Sequence, residues 1–140
     1  MKRLFSIVVA FWLAISCVPI LAYAAVPDNT VVQPMYLYTS EIEATLNISG
    51  SGTASCVGKI KGWARDSNIT MTVTLYKQSG TSWSEVTSWS DSATGVSSLT
   101  ISESYGVDAG TYKVVVTGTV TDPDVGSEDV SKSSTEMIYK

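Results

Sequence analysis

The sequence contains no histidine and only two cysteines, Cys17 and Cys56. Histidine is the most frequent general base in enzymes and the most frequent metal ligand. Its absence excludes Ser-His-Asp and Cys-His catalytic sites, and it leaves too few ligands for a zinc site. We therefore predict a protein that is not an enzyme, with no catalytic residues, no metal and no cofactor.

The first 24 residues predict a cleaved signal peptide. Lys2 and Arg3 provide a positively charged start, residues 4–21 are almost entirely apolar, and Ala22 and Ala24 occupy the −3 and −1 positions of a signal peptidase site. The predicted location is therefore secreted or extracellular, with the cell surface included. Two alternatives attach the chain to a membrane: an uncleaved segment that spans the bilayer, for which about eighteen apolar residues just suffice, or a lipidated Cys17.

Removal of residues 1–24 leaves one cysteine and few basic residues. Nine Lys and Arg less Lys2 and Arg3 leaves seven, against thirteen Asp and Glu, a net charge of −6. This balance disfavours nucleic acid and anionic membrane surfaces as partners, because both bind basic proteins. Cys56 cannot form an internal disulfide, so it is either a buried apolar residue or a free thiol, and its place in the strand pattern favours burial.

The rest of the chain predicts an all-β domain over residues 35–140, after an extended lead at 25–34. Helix formers are scarce, and apolar and polar residues alternate with period two. Seven to nine strands without intervening helices favour an antiparallel two-layer sandwich, with a closed barrel as the alternative. The pattern predicts strands at 35–40, 42–48, 54–61, 69–76, 83–90, 99–101, 111–120 and 130–139, with polar turns at 91–95 and 122–129.

One motif makes the sandwich prediction more specific. Residues 108–114, Asp-Ala-Gly-Thr-Tyr-Lys-Val, resemble the Asp-x-Gly-x-Tyr-x-Cys signature of immunoglobulin domains. The resemblance implies an immunoglobulin-like fold in which Tyr112 forms the tyrosine corner at the start of strand F. Val114 stands where that signature has its cysteine, so the disulfide between the sheets is absent and Cys56 and Val114 are expected in the core. Leu75 is the expected substitute for the tryptophan of strand C.

The whole chain resembles a family of small secreted proteins of Gram-positive anaerobic bacteria (Firmicutes, clostridia), a family of unknown function. The resemblance rests on the signal peptide and on segments 32–40, 48–56, 79–86 and 109–114. It implies the immunoglobulin-like sandwich and carries no activity.

Three aromatic residues are the candidate ligand-facing groups. Trp83 and Trp89 share parity, so on a regular strand both lie on one face, where Tyr76 across the hairpin joins them. Exposed aromatic rings of this kind stack on sugars, whereas core or edge packing is the more usual role of tryptophan. A bulge would place the two tryptophans on opposite faces.

Carboxylates offer two further possibilities. Glu41 and Glu43 share one strand face, an arrangement that serves glycosidases but is also ordinary for a solvated face. The acidic turn 122–129 offers oxygen ligands to Ca²⁺ but lacks the full ligand set of an EF-hand.

These observations predict a secreted, non-catalytic binding or surface-interaction module. Its expected partner is a glycan or another surface protein, recognised by the loops and by a threonine-rich face. The alternative is a structural protein of the cell exterior that assembles through an edge strand or the N-terminal lead.

Overall fold

The computed structural model describes residues 35–140, which form eight β-strands and no helix. The predicted signal peptide with Ala22 and Ala24, the alternative role of Cys17, and the lead at 25–34 lie outside these residues. Within the described part, no helix is long and apolar enough to cross a membrane. The strands are β1 (Thr39–Ile48), β2 (Thr53–Gly62), β3 (Ser67–Ser79), β4 (Ser82–Val96), β5 (Ser98–Gly106), β6 (Gly110–Asp122), β7 (Gly126–Ser133) and β8 (Met137–Tyr139).

The strands form two antiparallel sheets. The three-stranded sheet has the order β1-β2-β5, and the five-stranded sheet has the order β4-β3-β6-β7, with β8 paired to the beginning of β6. If β1 to β7 are read as strands A, B, C, C′, E, F and G, this is the division A-B-E against C′-C-F-G of an immunoglobulin-like sandwich. The predicted fold class, all-β and without a disulfide, is confirmed.

The alternating residues of the facing sides form a single core. Every second residue of these segments is apolar, and in a strand every second side chain lies on the same side. The segments therefore form strands with one buried face. The most completely buried side chains lie on β2, β3 and β6: Cys56, Ile60, Ile69, Met71, Val73, Leu75, Tyr112, Val114, Val116 and Val120.

Glycine sets how closely the two sheets approach at one point in this core. A Cβ atom built on Gly58 in β2 lies 2.5 Å from Cγ2 of Val73 and 2.9 Å from Cγ2 of Val116, both in the opposite sheet. These separations are too short for carbon atoms in contact. Gly58 is therefore required by packing between the sheets rather than by its backbone conformation.

The tyrosine corner is present at the turn between β5 and β6. The hydroxyl of Tyr112 donates a 2.7 Å hydrogen bond to the carbonyl oxygen of Asp108, four residues earlier, while the ring is 2 % exposed. This is the geometry that the immunoglobulin-like signature implies for a tyrosine two residues before the strand F cysteine position. The corner fixes the entry of the chain into β6.

Several predicted boundaries are wrong. The predicted strand at 35–40 is irregular up to Tyr38. The backbone N–H groups of Leu37 and Tyr38 donate hydrogen bonds to the carboxylate of Glu128 rather than to a neighbouring strand. The predicted turn at 91–95 lies within β4, which pairs with β3 as far as Val96. The acidic turn is shorter than predicted, since β7 begins at Gly126, and the last strand is interrupted between Ser133 and Met137.

Candidate functional site

The outer face of the five-stranded sheet carries a regular array of hydroxyl groups. Thr70 and Thr72 on β3 lie opposite Thr119 and Thr117 on β6. These central pairs continue onto the flanking strands, where Ser92 and Ser90 of β4 and Asp129 and Ser131 of β7 complete two rows of four residues. Neighbouring strands are about 4.8 Å apart, and residues on one face of a strand about 6.8 Å. The sheet thus presents polar groups on a two-dimensional lattice.

A shallow, open depression of about 1040 Å³ lies over these rows. We call it the hydroxyl groove. Its hydroxyl-bearing lining includes Thr70, Thr72, Ser90, Thr117, Thr119 and Ser131, with Tyr36 at the rim. Among residues 35–140, no lysine, arginine or histidine lines it. Its chemistry is therefore that of neutral hydrogen-bonding groups with a small excess of negative charge.

Hydrogen bonds between side chains hold parts of this array in place. The hydroxyls of Thr72 and Ser90 are 2.7 Å apart across β3 and β4, and Thr119 donates a 2.7 Å bond to Oδ1 of Asp129 across β6 and β7. The Tyr36 hydroxyl donates to the carbonyl oxygen of Ser131 at 3.2 Å, which brings its ring to the β7 side of the groove. Groups already oriented by such bonds lose little freedom when they bind a ligand.

The structure separates the two tryptophans of β4. Leu75 pairs with Thr87 but Tyr76 pairs with Glu85, so Val86 is an extra residue in β4. Because of this extra residue, two positions an even number apart on opposite sides of the bulge lie on opposite faces of the sheet. The shared face expected for a regular strand is therefore not formed, and the alternative, in which a bulge places Trp83 and Trp89 on opposite faces, is the one observed.

The two tryptophans consequently have different surroundings. Trp89 lies opposite Val73, on the core side, and is half-buried against the core. Trp83 lies opposite Gln78, on the outer face, with Nζ of Lys113 4.2 Å from the centre of its ring. Tyr76 pairs with Lys113 and is also half-buried on this outer face. The structure brings together Trp83, Lys113 and Tyr76, beyond the hydroxyl groove on the same sheet.

Cys56 and Val114 are both fully buried in the core, on β2 and β6. Burial raises the pKa of the Cys56 thiol to about 11. At neutral pH this thiol is protonated, and the thiolate is the reactive form. Cys56 therefore belongs to the core and contributes no nucleophile to the surface.

The other acidic candidates do not gather into a site. Glu41 and Glu43 lie opposite Lys61 and Lys59 in the β1–β2 ladder, and Glu41 forms an ion pair of 3.2 Å with Lys59. Among residues 35–140, no group of three or more carboxylate or cysteine side chains is placed to hold a metal ion.

The acidic turn instead has a role that the sequence pattern did not reveal. Glu128 projects from β7 and accepts hydrogen bonds from the backbone N–H groups of three successive residues: Leu37 at 2.8 Å, Tyr38 at 2.7 Å and Thr39 at 2.5 Å. Partial burial raises the pKa of Glu128, but the hydrogen bonds from Leu37, Thr39 and Tyr38 outweigh that effect, so its pKa lies below the ordinary value. The carboxylate anchors the start of β1 to the five-stranded sheet.

Exposed apolar side chains occur where the chain enters β1 and at two turns on the same end of the sandwich. Met35, Leu37, Trp63 and Val125 are each more than two-thirds exposed. The backbone N–H of Trp63 donates to the carbonyl oxygen of Tyr38 at 2.9 Å, which ties the β2–β3 turn to the start of β1.

Comparison with known proteins identifies no relative from which a function could be transferred. No family model matches the sequence, and no curated protein matches it. Among solved structures, the chain is similar to the sporulation control protein Spo0M from Bacillus subtilis, with 7 % sequence identity and a TM-score of 0.32. The similarity covers 74 % of this chain and 49 % of Spo0M, so the chain spans about half the length of that protein.

Proposed function

We propose that this protein is a secreted, non-catalytic binding module that recognises a neutral glycan through the hydroxyl groove. The observation that carries the proposal is the pair of hydroxyl-lined rows across β4, β3, β6 and β7. A serine or threonine hydroxyl both donates and accepts, and it rotates to suit its partner. Sugar hydroxyls have the same dual character, so a lattice of such groups complements a chain of sugar rings.

Charge and shape support this ligand class over the alternatives. The groove has no basic lining residue, which disfavours phosphate-bearing ligands such as nucleic acids. Its open form suits an extended polymer better than a small metabolite, which is usually enclosed in a deeper, more apolar pocket. Tyr36 at the rim and Trp83 farther along the sheet offer ring faces for stacking on a sugar. The lack of histidine removes the most frequent general base, which favours binding over catalysis.

The test is glycan-array screening followed by affinity electrophoresis in the polysaccharides that give a signal. The double variant Thr72→Val/Thr117→Val removes two central hydroxyls and keeps the side-chain shape. Each lost hydrogen bond contributes about 1 kcal/mol, so binding should weaken roughly 10- to 100-fold. Valine also favours strands, so the fold should be retained.

Thr45→Val provides the matched control, because Thr45 is an exposed threonine on β1 in the other sheet. This variant should bind as the wild type does. The proposal is refuted if no glycan binds at millimolar concentration, or if the groove variant and the control bind equally well.

Self-assembly through a sheet edge is the second candidate, and one observation favours it. β4 and β5 each lie at one end of their sheet and, among residues 35–140, have no further strand beside them. Unpaired edges are templates for pairing with another chain. Sedimentation velocity over a hundredfold concentration range tests this function, since an assembling protein forms larger species as its concentration rises.

A further inference from the structure

The two lateral sides of the sandwich differ in how their edges are protected. On the side where β1 faces β7, side chains from β7 bridge the sheets. Nζ of Lys132 donates to the carbonyl oxygen of Ile42 at 2.9 Å, and the carboxylate of Glu128 accepts the N–H groups of residues 37–39. These bonds occupy the N–H group of Thr39 and the carbonyl oxygen of Ile42 in β1, and the N–H groups of the two residues before it, so an added strand could not use them. This side is closed.

The opposite side, where β4 faces β5, is open. Between these two strands lies a gap of about 500 Å³, which we call the edge gap. Trp89 and Asp91 from β4 line it, together with Ile101, Ser102 and Glu103 from β5. In the described chain, no hydrogen bond or ion pair joins β4 to β5 across this gap. Backbone groups along both edges therefore remain available.

Three of the residues that line the edge gap lie on the core-facing side of their strands, although Asp91 and Glu103 remain exposed at its mouth. Trp89 and Asp91 lie opposite the core residues Val73 and Met71, and Glu103 lies opposite Cys56. Residues directly opposite each other on paired strands share a face. One aromatic ring and two carboxylates consequently converge on the open side of the core.

This combination suits a cationic side chain. Carboxylates form charge-assisted hydrogen bonds with lysine and arginine, and the face of an indole attracts the same cations. Residues 82–106, which contain β4 and β5, include three acidic residues and no lysine or arginine. No lysine or arginine among residues 35–140 lines the edge gap to neutralise Asp91 and Glu103. A second copy of this chain that paired through the same edge would bring like charges together, so the charges of the edge gap favour a basic partner over self-assembly, the second candidate above.

Of the two edges, β5 is the better template for an added strand. It pairs with β2 without a register shift from Ser98 to Gly106, whereas β4 contains the bulge at Val86. A regular edge of nine residues is about 30 Å long, enough for a strand of typical length. β5 also lacks proline and lysine, residues that commonly protect edges.

We propose that an extended, lysine- or arginine-bearing segment of a partner protein adds as a strand to the edge of β5, with a basic side chain between Asp91 and Glu103 beside Trp89. Main-chain hydrogen bonds supply affinity in this mode of recognition, and alternate side chains supply specificity. The edge gap borders the hydroxyl groove, with which it shares Ser90 and Asp91, but the proposed strand addition does not depend on glycan binding.

The experiment uses an eight-residue peptide of alternating valine and lysine, capped at both ends and carrying a fluorescent label. Binding is followed by anisotropy, and amide hydrogen exchange locates the protected segment. We expect saturable binding that weakens with salt, with added protection of the amides in Ser98–Gly106. A valine–glutamate peptide of the same length should not bind, and N-methylation of alternate amides in the lysine peptide should weaken binding about tenfold, because it removes main-chain donors.

The protein variant Asp91→Asn/Glu103→Gln should also weaken binding about tenfold or more, through loss of charge-assisted hydrogen bonds. Its matched control, Glu43→Gln/Asp124→Asn, makes the same change of charge on β1 and in the β6–β7 turn and should leave binding unchanged. Melting temperatures verify that both variants fold.

Three results would overturn the proposal. Equal weakening by the control would show attraction by net charge alone. Unchanged binding of the N-methylated peptide would show that no strand is added. Concentration-dependent dimerisation with protection of β5 in the absence of peptide would identify a second copy as the occupant.

Discussion

The contact of Glu128 with the start of β1 allows a quantitative prediction. Oε1 accepts from the N–H groups of Tyr38 and Thr39, and Oε2 accepts from that of Leu37. Glu128→Gln keeps one acceptor oxygen and replaces the other by an amide nitrogen, which cannot accept. At least one N–H group then faces a second donor.

The size of the effect follows from the exposure of the site. A hydrogen bond to a charged group contributes about 1.5–3 kcal/mol, and water compensates part of this loss because Glu128 is only half-buried. We expect the free energy of unfolding at pH 7 to fall by about 1–2 kcal/mol. For a domain of this size, the melting temperature should fall by about 5–10 °C.

The same contact predicts how this loss depends on pH. The pKa of Glu128 is lowered in the folded protein. Its stabilising contribution is therefore fully present above the unfolded-state pKa of about 4.3 and is lost as the pH falls through the lower folded-state value. The difference in stability between wild type and E128Q should stay constant from pH 8 to pH 5 and narrow at more acidic pH.

Urea denaturation followed by circular dichroism, repeated across this pH range, measures both effects. Glu136→Gln is the matched control, because Glu136 is exposed and the change of charge is the same. The control should change stability by less than about 0.5 kcal/mol. Equal effects of E128Q and E136Q at pH 7, or a difference that does not narrow in acid, would refute the role given to Glu128.

Three further predictions concern the core and its corner. Tyr112→Phe removes the hydrogen bond to Asp108 but keeps the buried ring, so the free energy of unfolding in urea denaturation should fall by about 1 kcal/mol. An unchanged urea midpoint would show that the tyrosine corner does not stabilise the fold. Gly58→Ala should cost about 1–3 kcal/mol through overpacking, whereas Gly50→Ala, which meets no atom within 4 Å, should change the melting temperature little. Cys56 should react with a maleimide at pH 8 only after unfolding, since its thiol is buried with a pKa of about 11; rapid labelling of the folded protein, measured by mass spectrometry, would contradict this burial.

Trp83 and Trp89 show where counting positions along a strand no longer predicts the face on which a side chain lies. The two residues are separated by an even number of positions, and parity alone places them together. The bulge at Val86 adds one residue to β4, and the indole of Trp89 turns to the core while Trp83 faces outwards. Nothing in the composition of residues 83–89 marks the bulge, because it arises from how β4 is matched to β3. A prediction of shared face is reliable only between bulges.

The hydroxyl groove could be predicted from the sequence only in part. The threonines at positions 70, 72, 117 and 119 occupy the polar phase of two strongly alternating strands, so a threonine-rich outer face was predictable. The sequence did not predict that β3 and β6 are neighbours. Nor did it predict that their threonines align in register with the serines of β4 and β7. Pairing between strands far apart in sequence depends on which arrangement buries the most apolar surface overall.

The sequence by itself determined most of the strands and their buried faces, because these depend on local alternation, and the short motif around Tyr112 indicated the tyrosine corner. It also determined that no histidine chemistry is available to the chain. Only the tertiary structure decided that Glu128 holds the start of β1, that the β1–β7 side is closed and that the β4–β5 side is open. The physical reason is the same in each case: these features join residues up to about ninety positions apart, and their contacts exist only once both sheets have formed and packed.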